Sequence, residues 1–219
     1  MIRRLTMASL FAAVMVSGWA ALSGRAGAGE YNETLSIGDR APAWKDLPGV
    51  DGRKHSLSEI DAELVVVVFT CNSCPIAADY EDRIMALAKK YAAEPGKLAV
   101  VAINVNLVAE DSLPKMKQRA EQKGFPFAYL FDESQKIAKD YGAAFTPEFF
   151  VLDKDRRVAY TGGMDDSSDP ARVKIKYLEP AIEATFAGKK PQTQETVARG
   201  CRIRYAPQRK RSKEIERGE

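Results

Sequence analysis

Soft and imidazole metal ligands are scarce in this 219-residue chain, which holds one histidine and three cysteines. A tetrahedral zinc site needs four such groups. Cys71 and Cys74 could supply half of one, and only Cys201 and His55 remain to complete it. Neither a metal nor any other cofactor is therefore expected. His55 follows an Asp-Gly turn signal and reads as a partly exposed strand residue. Asp165, Asp166 and Asp169, with Ser167 and Ser168 between them, lack the glycine and the closing glutamate of a calcium loop. They read as a polar loop that caps a helix. Past Leu22 no apolar run approaches the ~20 residues of a membrane span, so no stable insertion of the mature chain is expected. Net charge is only +3, and no nucleic-acid partner is expected.

The ends differ from the middle. Arg3 and Arg4 precede an apolar stretch from Leu5 to Leu22, and Ala26-Gly27-Ala28 forms a small-residue A-x-A site. These are the three regions of a secretory signal peptide. From Arg199 to Glu219 the chain carries eight Lys or Arg against three acids, which reads as a flexible basic extension. The expected organisation is a signal peptide over 1–28 cleaved near Ala28, one domain over 29–190, and a basic tail over 191–219. A periplasmic or secreted location follows from the leader.

What is present centres on Leu64 to Pro75, LVVVVFTCNSCP. Four valines and Phe69 form a β-branched run too short for a good helix and too continuous for a half-exposed strand. It reads as a strand buried on both faces of a sheet. From Ile76 the pattern turns helical, through Tyr80, Ile84, Leu87 and Tyr91. A C-x-x-C at a strand–helix junction is a thioredoxin-like redox signal. The free N–H groups and positive dipole end of a helix start favour a thiolate. On that ground Cys71 is expected to attack and Cys74, on the same face of the first turn, to resolve. Pro75 is tolerated only near the helix start.

Before this core lie a turn-rich stretch from Tyr31 to Ala62 and a capping-box spacing, Ser56 to Glu59. After it the pattern predicts a buried strand over 97–106, a helix over 114–123 closed by Gly124, and a strand over 127–131. A short helix over 135–141, a strand over 146–152 and a hairpin partner over 158–161 follow, then an amphipathic helix over 172–187. Strands alternating with helices indicate an α/β architecture.

Two further patterns give a resemblance. G-D-x-A-P at Gly38–Pro42 and D-G-x-x-x-S-L at Asp51–Leu57, ahead of the buried strand, resemble the opening of redoxins, the alkyl hydroperoxide reductase/thiol-specific antioxidant-like branch of the thioredoxin superfamily. Cys71-x-x-Cys74 followed by Thr146-Pro147 before a strand has the order of a thioredoxin fold. FTCNSCPIAADYED at 69–82 and Gly200-Cys201-Arg202-Ile203 are similar to bacterial redoxin-like proteins. The resemblance implies a central mixed sheet with helices on both faces, covering about 37–188. It implies a cis Pro147 facing the cysteines, with Thr146 and Pro147 as a platform on which a substrate strand pairs beside Cys71.

Departures from the pattern are informative. Thioredoxin has a buried acid six residues before its first cysteine, where this chain has Val65. Glu148 is the nearest acid left as a proton relay to Cys74, although an acid at a strand edge reads first as a solvated charge. Asn72 and Ser73, in place of Gly-Pro, offer side-chain donors to a Cys71 thiolate. The peroxidatic motif P-x-x-x-T-x-x-C fits neither cysteine, because Val68 stands three positions before Cys71 and Cys71 three before Cys74. The implied function is thiol–disulfide exchange on exported proteins, with an electron donor or acceptor protein as second partner. A thiol-dependent peroxidase or antioxidant redoxin and a non-catalytic binding module with a structural disulfide are the alternatives. Cys201 is the odd thiol, either packed under the tail or accessory, swinging in on the stretch from Gly188 to Arg199.

Overall fold

The computed structural model describes residues 29–207. The leader over 1–28 and the end of the basic tail lie outside the described residues. A two-residue hairpin, β1 (Leu47–Pro48) with β2 (Lys54–His55), leads into β3 (Leu64–Phe69). Then follow α1 (Pro75–Ala92), β4 (Leu98–Asn104), α2 (Leu113–Lys123), β5 (Ala128–Phe131) and α3 (Lys136–Asp140). The chain ends through β6 (Phe145–Thr146), β7 (Glu148–Leu152), β8 (Val158–Gly162), α4 (Leu178–Phe186) and β9 (Cys201–Arg202).

The valine run sits where its composition demands, at the centre of a five-stranded sheet ordered β5-β4-β3-β7-β8. β3 runs parallel to β4 and antiparallel to β7, so the sheet is mixed. All six β3 residues are buried. Alternation sends Val65, Val67 and Phe69 to one face, against Trp44, Tyr141 and Phe150. Leu64, Val66 and Val68 go to the other, against Tyr80, Ile84 and Leu87 of α1, Met116 of α2 and Ile182 of α4. α3 covers the first face through Ile137 and Ala138. Each fully buried large side chain contributes about 1.5–3 kcal/mol relative to exposure, and together they make the sheet a stiff floor for the loops at its edge.

Ser56 and Glu59 form the expected capping box, and Gly124 ends α2 at φ 65°, a left-handed conformation that favours glycine. Two predicted boundaries move. The last helix is shorter than 172–187: Pro170–Arg172 is a single 3-10 turn and α4 begins only at Leu178. Pro180 is the reason, since a proline lacks the N–H that a helix interior requires and is accommodated only in the first turn. The second change concerns the tail. Residues 191–207 pack onto the body: Thr161 donates its N–H to Gln194 O and accepts the Thr196 N–H, Cys201 and Arg202 pair with β6, and Ile203 is buried in the core. A basic composition concealed a segment whose alternate residues Cys201 and Ile203 face inward.

Candidate functional site

The end of β3 delivers Cys71 and Cys74 to the sheet edge. The helix begins where the pattern turns helical, but Cys74 is its N-cap and Pro75 its first residue, so Cys71 lies three residues ahead of the cap and Cys74 is not in the first turn. The cap's Sγ accepts the Ala77 N–H at 3.3 Å. It is therefore Cys74, and not Cys71, that receives the helix-start stabilisation. Both sulfurs are enclosed, Cys71 at 3% and Cys74 at 1% exposure.

The opposite wall is the peptide between Thr146 and Pro147, which is cis. Thr146 Oγ1 lies 3.4 Å from Cys71 Sγ, and the Cys74 thiol donates to Thr146 O at 3.2 Å. One residue thus touches both sulfurs. The structure brings Cys71, Cys74, Thr146 and Pro147 together as the resemblance implied.

Charge on the sulfurs follows from these contacts. The Cys71 thiol is held far above its ordinary value, first by the hydrogen bond it donates to Cys74 and then by burial. That hydrogen bond, against the effect of burial, is the main cause that lowers Cys74 to about 4, with Cys201 and the Ala77 N–H adding donors. The contacts therefore favour a thiolate on Cys74 and disfavour one on Cys71.

A side chain that the sequence pattern did not single out shapes the intervening loop. Asp111, fully buried, accepts the N–H groups of Asn72 at 2.7 Å and Ser73 at 3.0 Å through Oδ1, and the Ser73 hydroxyl at 2.5 Å through Oδ2. Its neighbour Asn104 donates to the same Oδ1 at 3.3 Å. The only clue in the sequence was an acid in a polar loop far down the chain. These bonds also correct the roles expected of Asn72 and Ser73. The single hydroxyl hydrogen of Ser73 is committed to Asp111, 2.5 Å away against 3.7 Å to Cys71 Sγ. The Asn72 amide donates to Glu110 O at 3.0 Å while its oxygen accepts from Tyr129 OH at 3.0 Å. Asn72 is thus not free to serve a Cys71 thiolate, and Ser73 keeps only a long contact to it that lowers the thiol weakly.

Glu148 is not a solvated edge charge. At 6% exposure its Oε2 accepts the N–H groups of Ala144 at 2.8 Å and Phe145 at 3.0 Å, bracing β6 from behind. Burial pushes its carboxyl up, against the effect of those bonds. No contact from Glu148 to either sulfur accompanies this bracing among the described hydrogen bonds. His55 is half-buried on β2, as expected, and pairs with Asp51 at 3.0 Å. In the acidic loop Asp165 forms an ion pair with Arg83, which fills the place a cation would take. Among the described residues no group of three potential His, Cys, Asp or Glu metal ligands is assembled. No described helix is long and apolar enough to cross a membrane. Cys201 needs no swing to arrive: paired opposite Thr146, it packs against the cluster of Cys71, Cys74 and Ala77.

Known proteins resemble this chain in fold and sequence. A conserved protein of uncharacterised function from Geobacillus kaustophilus is 33% identical, with a TM-score of 0.73 over 80% of this chain and 95% of that one. A thiol:disulfide interchange protein, DsbE, from Chlorobium tepidum is 25% identical, with a TM-score of 0.57 over 69% of this chain and 98% of that one. The thiol-disulfide oxidoreductase ResA of Geobacillus thermodenitrificans is 25% identical over 127 residues, which is 57% of this chain and 67% of that protein. A mixed sheet that sets a C-x-x-C against a cis-proline strand defines the thioredoxin-like class of thiol redox proteins. Within it, the chain belongs to the AhpC/TSA family, whose pattern matches residues 37–161.

Proposed function

We propose that this thiol–disulfide oxidoreductase works through Cys71 and Cys74 on the thiols and disulfides of proteins outside the cytoplasm. The observation that carries the reading is the contact of both sulfurs with Thr146, the residue before the cis-proline. The likeness to ResA and DsbE supports the class of reaction. The apolar leader with its A-x-A site supports export.

In the reducing direction one sulfur attacks a substrate disulfide and forms a mixed disulfide, releasing the first substrate thiol. The second sulfur then attacks the mixed bond, and the enzyme is left with a Cys71–Cys74 disulfide and the substrate with two thiols. Two electrons and two protons pass from enzyme to substrate. Cys71 is assigned to meet the substrate, because Ala77, Thr146 and Cys201 hem in the sulfur of Cys74. Thr146 and Pro147 position the reacting chain beside Cys71, and Glu148 braces their strand.

The test is reduction of insulin by the dithiothreitol-reduced protein. Turnover is expected in the wild type and none above background in Cys71→Ser. Wild-type protein that forms the Cys71–Cys74 disulfide yet never passes electrons to insulin or to another protein disulfide would overturn the reading in favour of a structural disulfide.

A further inference from the structure

The face of Thr146 expected to receive a substrate strand is already occupied by this chain's own C-terminal segment. β9 lies antiparallel to β6, with Thr146 opposite Cys201 and Phe145 opposite Arg202, and Ile203 N–H donates to Ala144 O at 2.9 Å. The contact is flush. A Cβ added to Gly200 would stand 2.0 Å from Thr146 O, closer than any side chain permits. The segment is moored on both sides of this point. Upstream, Thr196 N–H bonds Thr161 O at 3.0 Å, and its Oγ1 accepts the Gly163 N–H at 2.9 Å. Downstream, the buried Gln135 donates to Arg204 O at 2.9 Å and accepts the Ala206 N–H at 2.7 Å. Such mooring brings Cys201 to the site, where it packs against Cys71, Cys74 and Ala77. Thr146 links the two sulfurs' surroundings, for it pairs with Cys201 across the strands while its O touches Cys74 Sγ at 3.2 Å. Of the three cysteines, Cys201 alone is more than marginally exposed.

We propose that Cys201 is a third redox thiol of this site and that Cys74 is a shared sulfur, bonding alternately to Cys71 and to Cys201. The proposal rests on the reading of Cys71–Cys74 as a redox pair. In the oxidised enzyme the Cys201 thiolate attacks Cys74 Sγ. The Cys74–Cys201 bond forms as the Cys71–Cys74 bond breaks, and Cys71 leaves as a thiolate that takes up the proton Cys201 gave up. No net oxidation occurs, so no further oxidant is required. The exchange frees Cys71 while the enzyme stays oxidised, and it gives the oxidising equivalent a second, more exposed outlet.

The test uses the mature full-length chain oxidised with glutathione disulfide, thiol-blocked in acid and mapped after trypsin without reduction. Cys201 lies between Arg199 and Arg202 and so leaves on a short peptide of its own, distinct from that of Cys71 and Cys74. In Cys71→Ser the Cys74–Cys201 cross-link is expected as the main product, at a yield at least about tenfold above that of the same variant oxidised in urea, as local effective concentration requires. Adding Gly200→Ala, which lifts the strand without touching a thiol, should cut that yield roughly tenfold. Two mixed disulfides with glutathione on Cys74 and Cys201, or equal yields in native and denatured protein, would overturn the proposal. An equal yield of a Cys71–Cys201 bond in Cys74→Ser would overturn the role of Cys74 as shared sulfur. In each of those cases a wild type that still reduces insulin leaves the Cys71–Cys74 reading standing. A wild type with neither disulfide and no turnover would remove both.

Discussion

On one side of the sulfurs, the backbone of Asn72 and Ser73 is held by a fully buried carboxylate that accepts three of their donors. On the other side, Thr146 is covered by a strand of two residues held by neutral backbone bonds. Hydrogen bonds to a charged group contribute about 1.5–3 kcal/mol each, and neutral ones about 0.5–1.5 kcal/mol. The first wall is therefore permanent and the second removable. A thiol exchange site needs both, because the sulfurs must keep their mutual geometry while a partner chain gains access to them.

The largest effect should come from removing the chemistry between the walls. Cys74→Ser is expected to abolish insulin reduction while leaving the fold intact, as measured by turnover and circular dichroism. Next is the permanent wall. Asp111→Ala leaves the Asn72 and Ser73 N–H groups without partners and should cost about 2–4 kcal/mol in urea unfolding, with Asp111→Asn losing about half as much because one acceptor oxygen remains. A loss in Asp111→Ala no greater than an exposed substitution gives, within about 0.5 kcal/mol, would show that the two walls are not different in kind.

A smaller effect is expected on the removable wall. Gly200→Ala should cost only about 1 kcal/mol, the scale of the neutral bonds it disturbs. It should also raise the rate at which iodoacetamide reaches Cys71 in the reduced protein, read by mass spectrometry of the labelled peptides. An unchanged rate would mean that β9 does not govern access.

The smallest effect concerns Glu148, behind the removable wall. Burial raises its folded pKa above the ordinary 4.5, so the carboxyl is favoured in its protonated form by folding. Its contribution to stability is complete below the unfolded value and is lost as pH rises through the folded one. Glu148→Gln should flatten that decline in the urea midpoint measured from acid to neutral pH. A slope identical to the wild type would assign the pH dependence elsewhere.

Legibility in the sequence followed how local each cause was. The valine run, the C-x-x-C and the Thr-Pro before β7 each carry their signal within a few neighbouring residues, and each stands where its pattern placed it. Helix starts were less legible. Cys74 rather than Cys71 caps α1, and Pro180 postponed α4, because cap geometry and proline position decide boundaries that hydrophobic period leaves open. The carboxylate of Asp111 and the strand partner of Thr146 were invisible, for a different reason. Both meet the cysteines across long sequence separations, such as the 39 residues from Asn72 to Asp111 and the 55 from Thr146 to Cys201. Composition even pointed the wrong way for Glu148 and for residues 191–207, where charge concealed burial.

The position of β9 at the far end of the chain also sets an order in time. A chain emerging from its N-terminus has every strand of the central sheet once Gly162 is out, with Cys71, Cys74 and the cis-proline peptide all present. The segment that covers them arrives only with Arg202. A chain that has emerged only as far as Gly162 therefore holds both sulfurs and the Thr146-Pro147 peptide without the strand that carries the third cysteine.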